Sequence, residues 1–109
     1  MNTDLDSALP EFQELGFQVQ HLCRDGWYTV ALLRHSSTHR QIMLCTRTIR
    51  GGITLFPDPS PEEIAMIYRD PHEGIDGDLN VLRNKGFEHW SYQSEIGFRD
   101  WLQRNKIIP

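Results

Sequence analysis

The stretch FQVQHLCRDGWYTVALLR, residues 17–34, decides the fold. Phe17, Val19, His21 and Cys23 alternate with Gln18, Gln20, Leu22 and Arg24, a period of two that belongs to a strand. Asp25-Gly26 then interrupts the alternation with a dipeptide that favours a two-residue hairpin loop, and residues 27–34 run back. With that loop, Arg24 faces Trp27, Cys23 faces Tyr28, His21 faces Val30 and Val19 faces Leu32. Cross-strand partners share a face. Phe17, Val19, His21, Cys23, Tyr28, Val30 and Leu32 are therefore expected on one apolar surface, with Trp27 on the opposite side.

The small polar run from His35 through Ser36 and Ser37 to Thr38 reads as the next loop, and His39–Ile49 as a third strand. Its register stays open: a four-residue loop turns Met43 and Cys45 inward, a five-residue loop Ile42 and Leu44. Arg50-Gly51-Gly52 is a turn, Ile53–Phe56 a short fourth strand, and the prolines at 57, 59 and 61 end the sheet. Ser60-Pro61-Glu62-Glu63 starts a helix with Ser60 as cap, Pro61 first and Glu63 third; Ile64, Ile67 and Tyr68 form its stripe, and it ends near Asp70. Upstream, Ser7 reads as the cap of a helix carrying Leu9, Phe12 and Leu15, with Pro10 in its first turn and Gly16 as its stop. After a loop at 72–77, Asp78 caps a helix that runs to Gly86, residues 87–92 offer an optional fifth strand, and Ser94 caps a last helix with Phe98, Trp101 and Leu102. The expected fold is α+β, in the order α-β-β-β-β-α-α-(β)-α. It is a four-stranded, optionally five-stranded, antiparallel meander with helices packed on one face, forming a single domain over residues 1–109.

A length of 109 residues suits one domain, and a net charge of −4 with recurring aromatics argues against disorder. The acidic start, Met1 to Asp6, does not resemble a signal peptide, and the apolar runs, Val30–Leu33 among them, are at most five residues long, far too short for a span; a cytoplasmic location is expected. Cys23 and Cys45 read as free, small buried hydrophobes rather than a bridge.

No catalytic or metal constellation emerges. His35 and His39 have helical metal-ligand spacing, but they flank a loop with no acid beside them. Asp76-Gly77-Asp78-Leu79-Asn80 opens like a calcium loop, yet Val81 stands where glycine is needed and Phe87 where glutamate is needed. His21 and Cys23 are the right types for a nucleophile and base, but same-face strand neighbours stand ~7 Å apart. The expectation is a non-enzyme without metal or cofactor.

Charge is segregated. Residues 1–25 carry a net −4, residues 58–109 again −4, and residues 26–57 contain no acid and carry +4. Trp27, Arg34, His35, His39, Arg40, Arg47 and Arg50 are the expected partner-binding residues, because Arg beside exposed Trp suits an acidic protein surface. The partner would be another protein, for an accessory, inhibitor or immunity-type role, or a second copy in a homodimer. A nucleic-acid-binding module is the less favoured reading, because a pI near 5.6 with only Lys85 and Lys106 argues against it. Two alternatives stand beside this: internal pairing of the basic segment with the acidic helices, and a small-ligand pocket on the apolar face lined by His21, Cys23 and Tyr28.

Overall fold

A hairpin forms over residues 17–35, with its reversal one residue later than the Asp25-Gly26 pattern implies. The computed structural model describes residues 3–49, 51–76, 88–90 and 95–109. Strand β1 spans Phe17–Arg24 and β2 spans Tyr28–His35. The Asp25 amide donates to the Tyr28 carbonyl at 2.9 Å, which makes Gly26-Trp27 the loop. The Asp25 side chain selects that loop: its Oδ1 accepts from the amides of Trp27 (2.8 Å) and Tyr28 (2.7 Å). Arg24 therefore pairs with Thr29 and Cys23 with Val30. A slip of two residues keeps each side chain on its expected face.

That agreement ends at His21. A β-bulge between Val19 and His21 shifts the register, so Val19 pairs with Leu33 and Phe17 with His35. Phe17 and Val19 consequently pack on the face opposite His21, Cys23, Tyr28, Val30 and Leu32, and the single apolar surface expected from alternation is split in two.

Strand β3, Gln41–Arg47, follows a four-residue loop closed by the His35 amide donating to the Arg40 carbonyl. Met43 lies opposite Leu32 and Cys45 opposite Val30. Strand β4 is Gly51–Pro57 and β5 is Glu88–Trp90. The sheet is antiparallel in the order β1-β2-β3-β4-β5, the expected α+β meander with its optional fifth strand.

The helices cover both faces of this sheet rather than one. Helices α1 (Asp4–Glu14) and α3 (Glu95–Arg104) bring Leu5, Phe12, Phe98, Trp101 and Leu102 onto Ala31, Leu33, Ile42, Leu44, Ile53 and Leu55. Helix α2 (Pro61–Arg69) and a π-helical turn at His72–Asp76 bring Ile67 and Ile75 onto Tyr28, Val30, Leu32, Met43, Cys45 and Phe56. Each such fully buried side chain contributes about 1.5–3 kcal/mol of transfer free energy. Ile42, Met43, Leu44 and Cys45 are all buried, as the middle strand of a two-sided sheet requires.

Helix α2 has the capping box read from Ser60 and Glu63, with Pro61 in its first turn. Helix α1 starts a turn earlier than Ser7 suggests. Thr3 is its cap and Asp6 returns the second bond, which puts Pro10 inside the helix, on its exposed side. Beyond α3, Lys106 takes φ 58° and turns Ile107 and Ile108 into the core under α1 and α3. The expected helix from Asp78 to Gly86, the Ser94 cap, Arg50 and residues 77–80 of the calcium-like run lie outside the described residues. No helix among the described residues is long and apolar enough to cross a membrane.

Candidate functional site

The strand ends distribute the Arg/Trp residues, and they do not form one surface. Trp27 and Arg47 lie at the end holding the β1–β2 and β3–β4 turns, while Arg34, His35, His39 and Arg40 lie at the end holding the β2–β3 loop. Tyr28 and Arg34 are six steps apart along β2, about 20 Å of strand.

At the β2–β3 end much of the expected surface is used internally. His35 is buried, so it is not available to a partner. Its Nδ1 accepts from the Ser37 (3.1 Å) and Thr38 (3.3 Å) amides, so Nε2 carries the ring proton and donates it to the Leu15 carbonyl at 2.8 Å. Gly16, at φ +103°, leaves the space for that ring. Arg40 forms a forked ion pair with Asp58 and also donates to the Asn105 carbonyl at 2.6 Å, while Thr38 donates to the Ile107 carbonyl at 2.7 Å. This loop is clamped to the C-terminal segment. Arg34 and His39 remain exposed beside Gln18, Gln20 and Ser36, around a depression of about 300 Å³.

The opposite end is open and partly apolar. Trp27 is 65% exposed and Ile49 78% exposed, the two large apolar side chains that stand out in solvent among the described residues. The Thr48 amide donates to the Trp27 carbonyl at 2.9 Å and holds the two turns side by side. A cavity of about 220 Å³ opens next to them, under the first turn of α1, lined in part by Asp4, Arg24, Asp25, Thr29, Thr46 and Thr48. Arg24, Thr29 and Thr46 form one cross-strand row on the α1 face. Arg24 pairs with Asp6, and that hydrogen bond holds the Asp6 carboxyl below its ordinary range against the opposing effect of burial.

His21, Cys23 and Tyr28 share the other face, as expected, but α2 is packed there. The His21 ring stacks on Tyr68 (centroids 4.2 Å apart, 26° between planes), and the Tyr68 hydroxyl donates to the His21 carbonyl at 3.1 Å. The Tyr28 hydroxyl meets His72 Nδ1 at 3.2 Å. Burial pushes the Tyr68 phenol well above its ordinary range, with the neighbouring Cys23 adding to the effect. The cavities described above lie away from these three side chains, because Tyr68 and its neighbours fill the space expected of a pocket. Cys23 and Cys45 are both thiols, not joined in a disulfide. They flank Val30 on adjacent strands, roughly 9–10 Å apart and beyond bridging distance.

Comparison with protein families, with curated proteins and with solved structures returns no match. Among the described residues no group of three His, Cys, Asp or Glu side chains is placed to hold a metal ion. Two features were missed in the sequence. Ile49 looked like the end of a strand because it is β-branched, and the Thr29–Thr46 row depends on the observed register.

Proposed function

We propose that the chain is a non-catalytic protein-interaction module, of accessory, inhibitor or immunity type, that meets its partner through the Trp27–Ile49 end. The exposure of Trp27 and Ile49 on two turns joined by the Thr48–Trp27 hydrogen bond carries this reading. An aromatic anchor with an aliphatic neighbour and nearby arginine is the usual centre of a protein interface. Arg47 closes β3 at this end and Arg50 follows Ile49 in sequence, within the acid-free segment. The complementary partner is a protein with an apolar recess and an acidic rim.

Cys23 and Cys45 as unbridged thiols fit a reducing, cytoplasmic setting. Self-pairing through the edge strand β1 is the weaker form of the interaction reading, because its bulge near Gln20 and its polar side chains oppose edge-to-edge addition. The test is affinity capture with the full chain, followed by binding measurements on the captured partner. Trp27→Ala is expected to weaken binding by about 30-fold or more, the 2 kcal/mol of an interface anchor, and Ile49→Ser to weaken it too. Arg34→Glu, at the far end of β2, should leave it unchanged. Loss with Arg34→Glu and retention with Trp27→Ala would reject the reading.

A further inference from the structure

Thr29 is 2% exposed, and among the described residues its hydroxyl makes no hydrogen bond. It is not sealed away, since no fully enclosed side-chain nitrogen or oxygen among them lacks a partner. The hydroxyl opens onto the cavity beside α1, whose wall Thr29 forms. A nearly buried hydroxyl kept without a protein partner is costly, and that cost is recovered when a ligand supplies the bond. Its cross-strand neighbour Thr46 shows the contrast: that hydroxyl accepts from the Leu5 amide (3.1 Å) and donates to the Gly52 carbonyl (2.9 Å).

The rest of the wall offers both donors and acceptors. Asp4 uses one carboxylate oxygen on the Gly52 amide, and Asp25 uses one on the Trp27 and Tyr28 amides. The second oxygen of each takes no hydrogen bond from the described residues. Arg24 gives one guanidinium nitrogen to Asp6 and keeps further N–H groups. Threonine methyls and the Arg24 stem supply apolar wall between these polar points. Asp4 and Asp25 disfavour an anionic ligand, and a cationic ligand that only donates would leave the spare Arg24 N–H groups unmet. A hydroxyl both gives and accepts, and adjacent hydroxyls suit the spacing of carboxylate and guanidinium groups. The volume, about 220 Å³, is below the range of about 300–1,000 Å³ for drug-sized ligands and suits a single small ring.

We infer that this cavity binds a small neutral polyhydroxylated molecule, a monosaccharide or polyol, with the Thr29 hydroxyl at its floor. The inference is separate from the partner reading, since the Trp27 side chain is outside the cavity wall.

The experiment is an amide-resolved NMR titration of the full chain with glucose, galactose, mannose, ribose and glycerol, and with ethylammonium chloride as the cationic control. At least one polyol is expected to give saturable shifts at residues 24–29, 46–48 and 51. Thr29→Val should weaken that binding by at least about tenfold while keeping a folded spectrum, Thr29→Ser should restore it, and Trp27→Ala should leave it intact. Absence of saturable shifts with every polyol, unchanged binding in Thr29→Val, or saturation by ethylammonium instead would each overturn the inference.

Discussion

Two chemically identical substitutions at facing positions should have opposite consequences. Thr29 and Thr46 are cross-strand partners, both almost fully buried, in strands where valine is well tolerated. Thr46→Val removes the acceptor of the Leu5 amide in the first turn of α1 and the donor to the Gly52 carbonyl. Leu5 is itself fully buried, so its N–H is left without a partner and without access to water. An orphaned buried donor costs about 1–3 kcal/mol, so a loss of about 2 kcal/mol is expected. For a domain of this size that lowers Tm by about 10 °C. Thr29→Val deletes a hydroxyl that bonds to nothing among the described residues and preserves shape. It should leave stability unchanged or raise it by up to about 1 kcal/mol. Denaturant unfolding of the two variants beside the parent chain, without added ligand, reads the difference directly. Equal losses in both, or a larger loss in Thr29→Val, would refute the assignment of hydrogen bonds across this row.

Three further outcomes follow from particular contacts. Cys23, half-buried on the edge strand, should react with a thiol reagent in the native state while buried Cys45 reacts only on unfolding, and no native disulfide should form under mild oxidation; two fast thiols would contradict the layering. Because burial raises the Tyr68 phenol above its unfolded value near 10, the unfolded chain gives up that proton first. Stability should be intact below about pH 10 and fall as pH rises above it, more steeply than in Tyr68→Phe; matching slopes in stability-versus-pH curves would count against it. Gly16→Ala combines a φ of +103° with a Cβ placed 2.8 Å from His35 Nε2, so unfolding measurements should show a loss of about 3 kcal/mol, and one below about 1 kcal/mol would show that the ring is not seated there.

The hairpin was legible because alternation and a turn dipeptide coincide in residues 17–34, but its exact loop was not. Asp25 can begin a turn through its side chain as readily as it can occupy one, and the carboxylate bonds to Trp27 and Tyr28 select the former. The open choice between Met43/Cys45 and Ile42/Leu44 had a physical cause. With helices on both faces, each alternative buries its residues, so the apolar run does not discriminate between registers. The same run of apolar residues at both parities of 28–33 was the available sign of a two-sided sheet. Ser60 and Glu63 were legible because a capping box is local; Thr3 was obscured by Ser7, an equally good cap one turn on. Trp27 stands in solvent as the hairpin implied. The role of His35 depends on Leu15, and that of Arg40 on Asp58 and Asn105, contacts across the fold that no local pattern announces.

Hydroxyl-radical footprinting of the free chain and of its complex with the captured partner tests the proposed interface most directly. Trp27 and Ile49 should oxidise rapidly in the free chain, with buried Trp101 slow, and both should become protected in the complex while His39 does not change. Slow oxidation of Trp27 in the free chain, or protection that appears at Arg34 and His39 while Trp27 stays reactive, would contradict the assignment of this end as the contact surface.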